Sequence, residues 1–443
     1  MKKVHQHGSE RRGKVGAQYA LAAEPQLVRI EKPVYGGAFL GRVEGKAIFT
    51  PLTLPGELVR ARVVADKRSY VQAEAEEIVE CSPERIEPVC RHFGVCGGCH
   101  YQHTGYEQQI EFKKAILRET LERGGSAFAG EIDVLAAAPW AYRNRIRLAA
   151  DAAGNLGYRS RRSHAIVPIA ECPIAAPLLV HGALTFAALA KKANLACDEI
   201  ALFCNADETE LLGSVTVHGS AEKQLLKLTA EWVEQVSELT GVLFEQQTLS
   251  GRSPQIIAQW GKHSLTYVAA GMNYHVNQGA FFQINRWLVD ELVAHVTAGL
   301  AGETAWDLYA GVGLFAQRLV QSFGHVHAVE SAPGATASLV HNLEGTGGEA
   351  IAADTLHFLQ QNATQTPDAI VVDPPRTGLG PEITALLGRI GASSLTYVSC
   401  DPATLARDLK ALSAFGYRLD SVTLADLFPQ TFHIETIVRM RHL

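Results

Sequence analysis

From about Asn277 onward, short apolar runs alternate with stretches of helical periodicity. This alternation constrains the fold more than any other feature of the 443-residue chain. The spacing predicts helices over 284–300, 315–323, 335–343, 382–390 and 402–415. It predicts strands over 304–308, 325–329, 369–372 and 395–398, and two more strand-like runs, 417–424 and 433–440, close the chain. Strand and helix in turn give parallel strands with helices on both faces, and two strands in succession give an antiparallel pair. The expected architecture is a doubly wound α/β sheet with a terminal antiparallel pair.

In open sheets of this kind, ligands bind outside the C-terminal ends of the strands. In "DLYAGVGLFAQRL", Asp307 ends a strand, and Gly311 and Gly313 open the next helix. Glycine there lets the backbone turn tightly and approach a ligand closely. In "VHAVES", Glu330 ends the following strand, where an acid can hold both hydroxyls of a ribose. A third glycine is missing: Phe315 and Ala316 stand where a dinucleotide would bring its pyrophosphate close. A nucleoside without pyrophosphate, S-adenosylmethionine, fits better. Asp354, after the strand-like "EAIAA", suits the adenine amino group. The competing reading is a tight turn with no ligand.

Two further strand ends lie on the same edge. "VVDPPRTGLG" puts Asp373, two prolines and Arg376 after a buried strand, the prolines stiffening the loop. "YVSCDPATLARDL" puts Cys400 between a strand and a helix that Asp401 caps and Pro402 opens. The helix terminus favours a thiolate and the neighbouring Asp401 opposes it, so the sequence leaves the net shift open. Cys400 is either a small core residue or a nucleophile. In "FHIETIVRM", Glu435 lies in the last strand pair, where an alternating strand would ordinarily keep its charge in solvent. Together the two suit one chemistry. Uracil C5 takes a methyl group only after a thiolate adds to C6 and makes an enolate, and a base must then remove the C5 proton.

The eight cysteines raise a second question. No apolar run approaches the roughly 18 residues that span a bilayer. The basic start has no apolar segment behind it, which argues against a signal peptide and for the cytoplasm. Cysteines there are reduced and serve metals or catalysis rather than disulfides. "CRHFGVCGGC" clusters Cys90, Cys96 and Cys99, and Cys172 precedes a proline far downstream. Zinc prefers short paired spacings, whereas three clustered cysteines and one remote one resemble an iron–sulfur pattern. Zinc and no metal remain open, as does Cys81 as a replacement ligand. Cys197 and Cys204 read as small core residues.

The front of the chain differs. Over 25–81, short strands are punctuated by Gly36-Gly37, Gly41, Gly45 and Pro55-Gly56, the pattern of a small β-barrel. Met1 to Gln72 holds 13 Lys and Arg against 6 Asp and Glu, while the remainder holds 27 against 40. A basic front on an acidic body suggests contact with nucleic acid. Lys67 and Arg68 lie beside Tyr70, as in single-strand binders. The expected domains are a flexible basic tail (1–24), the barrel (25–83), a mixed α+β central domain bearing the cysteines (84–276) and the doubly wound domain (277–443). A helix over 105–125 either stays with the central domain or joins the last one.

Taken together, "HFGVCGGC", "CPI", "YRNR", "GAFFQIN", "DLYAGVGLF", "DPPRTGL", "SCDPATLARDL" and "HIETIV" resemble the bacterial S-adenosylmethionine-dependent RNA uracil-C5 methyltransferases. The closest likeness is to the subgroup with an N-terminal TRAM domain and an iron–sulfur cluster. The resemblance runs from about residue 25 to the end. It implies a Rossmann-like class I methyltransferase domain, with Cys400 as nucleophile and Glu435 as base. Gln283, Tyr309, Glu330, Asp354 and Asp373 would line the cofactor site, and Cys90, Cys96, Cys99 and Cys172 would hold a 4Fe–4S cluster. Asp401 stands where the family often has asparagine, and Leu314 where some members place a polar residue. The implied partner is RNA, ribosomal ahead of transfer RNA, with no membrane and a monomeric state. An N-methyltransferase or a non-catalytic RNA-binding protein would leave Cys400 and Glu435 without a role.

Overall fold

The computed structural model describes residues 24–247 and 254–443. Among them the chain divides into two compact units, one of residues 24–32 with 38–82, the other of residues 33–37 with 83–443. Of the expected flexible basic tail, 1–24, residues 1–23 lie outside the described residues.

The first unit is a closed barrel of β1 (Gln26–Pro33), β2 (Ala38–Val43), β3 (Lys46–Pro51), β4 (Leu58–Asp66) and β5 (Tyr70–Glu80), in the order β1-β2-β3-β5-β4. Alternate residues such as Val28, Ile30, Val59, Ala61, Val71 and Ala73 fill it. Glu57 is buried and accepts hydrogen bonds from the Leu54 and Ser82 N–H groups. On the outside, Glu74, Glu76, Glu77 and Glu80 pair with Arg62, Arg60 and Arg29. Residues 24–80 therefore carry 8 Lys and Arg against 9 Asp and Glu. The positive excess of the front belongs to residues 1–23, not to the barrel.

The second unit begins with α1 (Tyr106–Gly124) and β6 (Ile132–Leu135). Then come β7 (Arg145–Ala150), β8 (Leu156–Arg159), β9 (Ile166–Pro168), α2 (Pro177–Lys192), β10 (Cys197–Cys204), β11 (Leu211–Val217), α3 (Glu222–Gln235), β12 (Leu239–Gln246) and β13 (Gln255–Gly261). These strands form a seven-stranded sheet, β13-β12-β11-β10-β7-β8-β9, with α2 and α3 packed on it. A hairpin of β14 (Ser264–Ala269) and β15 (Met272–Asn277) follows.

The last part holds α4 (Val289–Thr297), β16 (Gly302–Leu308), α5 (Ala316–Leu319), β17 (Phe323–Glu330), α6 (Pro333–Leu343), β18 (Gly348–Ala352), α7 (Thr355–Gln361), β19 (Ala369–Val372), α8 (Gly380–Ile390), β20 (Ser394–Ser399), α9 (Pro402–Ser413), β21 (Tyr417–Ala425) and β22 (Glu435–His442). Its eight-stranded sheet has the order β18-β17-β16-β19-β20-β22-β21-β6. The strands from β16 to β20 run parallel, and β22 pairs antiparallel to both β20 and β21. Apolar residues of α4, α5, α6 and the hairpin cover one face, and those of α1, α7, α8 and α9 cover the other. The expected doubly wound sheet is present.

Three local expectations change. β6 comes from the stretch expected to be central, yet it is the edge strand beside β21. α1, whose place was open between the central and last domains, packs on α9, closely enough that a Cβ on Gly124 would lie 2.5 Å from the Ala406 Cβ. The helix expected over 284–300 is only α4, because Arg286 N–H is bonded to the Tyr142 carbonyl and Asn285 pairs with Arg143 in a β-bridge. The helix expected over 315–323 stops at Leu319, since β17 starts at Phe323. α7 had no expectation, although Asp354 caps it by accepting from Leu356 and His357 N–H.

Candidate active site

The chain reverses β-order between β17 and β19 on either side of β16, and the crevice there is where a doubly wound sheet takes ligand. After β16, Tyr309, Gly311 and Gly313 all have positive φ, +63°, +58° and +90°. A Cβ on Gly313 would lie 2.8 Å from the Leu339 Cδ1, so glycine is needed there for both conformation and space. Leu314, by contrast, is buried in the core, and its carbonyl accepts from Tyr274.

Glu330 ends β17. One of its oxygens accepts from Gly311 N–H at 2.9 Å, the other from Ser331 and Ala332 N–H at 2.8 and 2.7 Å. A carboxylate has about four acceptor sites, so these bonds leave about one. Glu330 thus ties the glycine turn to the next strand. A crevice of about 540 Å³ runs from Ser331 past Pro333, Thr336 and Val340 to Asp354, large enough for a nucleoside. Gln283 is nearly buried in the loop before α4, its carbonyl held by the Asn144 amide.

Asp307 lies one residue before the end of β16, and Asp373 directly follows β19. Neither Asp307 oxygen makes a hydrogen bond of normal geometry. Burial pushes its pKa to about 8, the nearby Asp373 and Glu330 charges adding to the rise. Burial likewise raises Asp373, to about 7.

Cys400 and Glu435 come together through sheet register. β20 pairs antiparallel with β22 as far as Ser399 and Thr436, so Cys400, just past β20, lies beside Glu435, the first residue of β22, near enough for the Glu435 charge to act on the thiol. β22 lies between β20 and β21 with helices on both faces, and Glu435 is only 6% exposed. The solvent-facing position expected of a charge on an alternating strand does not apply. Burial, then the Asp373 charge, raises Glu435 well above the usual carboxyl range, and Arg376 opposes the rise. Burial, then the Glu435 and Asp373 charges, pushes the Cys400 thiol to about 12, again against Arg376. The net shift, open in the sequence, is upward: the free protein holds a thiol. Asp401 caps α9 as its position predicts, accepting from Ala403 and Thr404 N–H.

Three neighbours had no sequence-based role. The Tyr35 hydroxyl donates to the Cys400 carbonyl at 3.5 Å across 365 residues of sequence, a proximity no local pattern announces. Arg376 was legible only as part of Asp-Pro-Pro-Arg. It reaches His433 at 3.4 Å, and burial followed by that cation lowers the His433 pKa to about 4. Phe432 packs between Tyr35, His100 and His433, at ring-centre distances of 5.6, 4.6 and 4.4 Å. Of the two phenylalanines before Gln283, Phe282 belongs to the core, 4.4 Å from the Tyr267 ring centre, while Phe281 is 64% exposed.

Cys90, Cys96, Cys99 and Cys172 line one cavity of about 80 Å³, with Arg143 and Tyr158 in its wall. All four are free of disulfides. Gly98 N–H points to Cys96 Sγ at 3.4 Å, and Tyr158 Oη lies 3.8 Å from Cys172 Sγ. Burial raises the Cys90 and Cys96 thiols and takes Cys99 to about 12. Among the described residues, no three His, Cys, Asp or Glu converge on a single-ion site. Four unpaired thiols around one cavity suit a larger thiolate-held group. Cys81 is exposed, Cys204 is buried and Cys197 partly so. Among the described residues, no helix is long and apolar enough to cross a membrane.

Residues 359–442 match the profile of the family described as tRNA (Uracil-5-)-methyltransferase, and residues 24–75 match the TRAM domain. An RNA methyltransferase of Streptomyces avermitilis, itself uncharacterized, is 33% identical and covers 94% of this chain and 97% of its own length. One of Aquifex aeolicus is 30% identical, covering 94% of this chain and 98% of its own length. In fold, the chain resembles the tRNA (uracil-54, C5)-methyltransferase of Pyrococcus abyssi, solved with S-adenosyl-L-homocysteine. The TM-score is 0.76 at 24% identity, covering 94% of this chain and 100% of that one.

Proposed function

The chain belongs to the family of RNA (uracil-5-)-methyltransferases that carry a TRAM domain, and on that premise we propose that it methylates C5 of one uridine in RNA, with Cys400 as nucleophile and Glu435 as base. The observation that carries this reading is the β20–β22 pairing, which runs to Ser399 and Thr436 and so brings Cys400 beside Glu435, at the sheet edge where Asp373 follows β19.

In this reading Cys400 gives its proton to the Asp373 carboxylate as the sulfur adds, a transfer that is uphill from a thiol near 12 to an acid near 7 and that bond formation at C6 and the Arg376 cation must drive. The sulfur adds to uracil C6, and the electron pair of the C5=C6 bond moves into an enolate. S-adenosylmethionine, when bound, supplies the electrophilic methyl group that C5 takes up. Glu435 then removes the C5 proton. The electron pair left behind restores C5=C6 and expels the Cys400 thiolate. To act as base Glu435 must first release its own proton to solvent, which burial opposes and Arg376 favours; once ionised, its raised pKa makes the carboxylate the stronger base. Arg376 is the cation beside both groups and favours each anion as it forms. Gln283, Asp307, Tyr309, Gly311, Gly313, Glu330, Asp354 and Asp373 are the residues we assign to the cofactor. The crevice beside Glu330 and the close-approach glycines support this.

We assign Cys90, Cys96, Cys99 and Cys172 to a 4Fe–4S cluster, on the strength of their shared cavity. No step above passes through it. A cytoplasmic site of action suits eight unpaired cysteines. We expect the target uridine in ribosomal RNA, and nucleoside mapping of RNA from cells lacking the protein decides between ribosomal and transfer RNA.

The test of the mechanism uses RNA carrying 5-fluorouridine, whose C5 substituent cannot leave as a cation. The reaction should stall after methyl transfer as a covalent protein–RNA adduct. Cys400→Ala should give neither adduct nor product. Glu435→Gln should trap adduct even with ordinary uridine. Near-normal methylation by Cys400→Ala would end this reading.

A further inference from the structure

Glu435 opens β22, and the segment before it, residues 426–434, forms neither helix nor strand. Yet Asp426, Leu427, Gln430, Thr431 and Ile434 are all at most 2% exposed. A buried loop must find partners for its polar groups elsewhere. Here they come from the region around Cys99 and from α1. Gln430 sits at φ +67°, a conformation that a non-glycine residue keeps only where its surroundings hold it. Its carbonyl accepts from the His100 and Tyr101 N–H groups at 2.8 and 3.1 Å. Its own N–H donates to Gln109 Oε1 at 3.0 Å, and its side-chain oxygen accepts from Gln109 Nε2 at 3.0 Å. The same Nε2 donates to the Tyr101 carbonyl, closing the clamp on itself.

We infer that Gln109 is a positioning residue for Glu435: it locks the strained Gln430 turn to the His100–Tyr101 backbone and so holds the loop that aims the base. The inference rests on the role of Glu435 proposed above. Cys400 leaves a different strand, β20, and meets the loop only indirectly, through Tyr35 and Phe432. Loosening the clamp should therefore slow removal of the C5 proton while leaving addition and methyl transfer nearly intact. The two backbone donors begin one residue after Cys99, so the wall of the cysteine cavity and the base share one rigid connection.

The experiment compares Gln109→Ala with wild type and Glu435→Gln, using bulk RNA from a strain lacking the gene and methyl-labelled S-adenosylmethionine. Single-turnover labelling of RNA reports methyl transfer, and a denaturing gel reports the covalent adduct. A misplaced catalytic group of this kind costs about tenfold to a hundredfold in its own step. Gln109→Ala should accumulate adduct on ordinary uridine, with release slowed by that factor and label transfer within about threefold of wild type. If Ala does not fold, Gln109→Leu keeps the volume and tests the same point. Leu228→Ala, a core truncation in α3, should lower stability without accumulating adduct. Equal losses in transfer and release, or unchanged release, overturn the inference. If Glu435→Gln also traps nothing, the base assignment falls with it; if Glu435→Gln traps and Gln109 variants do not, the inference alone falls.

Discussion

Lys113 lies on α1 one turn beyond Gln109, and both it and its partner Asp426 have fully buried side chains. The ammonium donates to Asp426 Oδ1 at 2.6 Å and to the Phe428 carbonyl at 3.0 Å. Burial pulls the lysine pKa below its usual value even though the Asp426 charge opposes it, so desolvation is the larger effect. Lys113→Met leaves a carboxylate in the interior without its counterion, which costs about 3–5 kcal/mol. At about 2 °C per kcal/mol for a large domain, the calorimetric transition of the second unit should fall by about 6–10 °C. Replacing both charges removes the orphan. Lys113→Met combined with Asp426→Leu should recover most of that loss, a coupling of about 2–3 kcal/mol between the sites. A single variant melting within about 2 °C of wild type, or a double variant no better than the single, would refute the claim that this pair anchors the loop.

Three further outcomes can be checked. Glu330→Ala should weaken S-adenosylmethionine binding by about ten- to a hundredfold, through loss of one charge-assisted bond worth about 1.5–3 kcal/mol; unchanged calorimetric affinity removes Glu330 from the site. Asp307 has its folded pKa raised to about 8 from an ordinary 3.8, so the folded state holds a proton that the unfolded chain has released. Stability should therefore be greatest below the unfolded value and fall as pH climbs towards about 8. Asp307→Asn should flatten part of that fall, and identical slopes of melting temperature against pH would show that the carboxyl is not desolvated. Protein purified without oxygen should carry about four iron atoms per chain; stoichiometric zinc without iron or sulfide excludes the cluster.

Much of the architecture is written locally. Period-two and period-3.6 patterns place β19 at its observed bounds and α6, α8, β20 and α9 within two residues of theirs. The Asp401-Pro402 signal opens α9 because a cap acts within one helical turn. The glycines after β16 announce a backbone that glycine adopts most readily. Where local preference met a distant partner, the partner won. The start of the helix expected at 284 gives its backbone to Tyr142 and Arg143, and β6 leaves its sequence neighbours for β21.

The site divides in the same way. Sequence alone determined which groups are available: a cysteine at a strand end, a glutamate in the last strand, an acid at the end of each of four strands. Tertiary structure decided that Cys400 lies beside Glu435, because pairing of β20 with β22 joins residues that share no turn. It decided that Glu435 is buried, because β22 turns out to be an interior strand covered on both faces. Lys113 reads along the chain as one more surface lysine of an amphipathic helix, and Tyr35 as a barrel aromatic; packing makes one a buried ion-pair partner and the other a donor to Cys400. Periodicity and capping depend on neighbours within a few residues and so can be read along the chain. Desolvation depends on every group packed around a site, and only the folded chain brings those groups together.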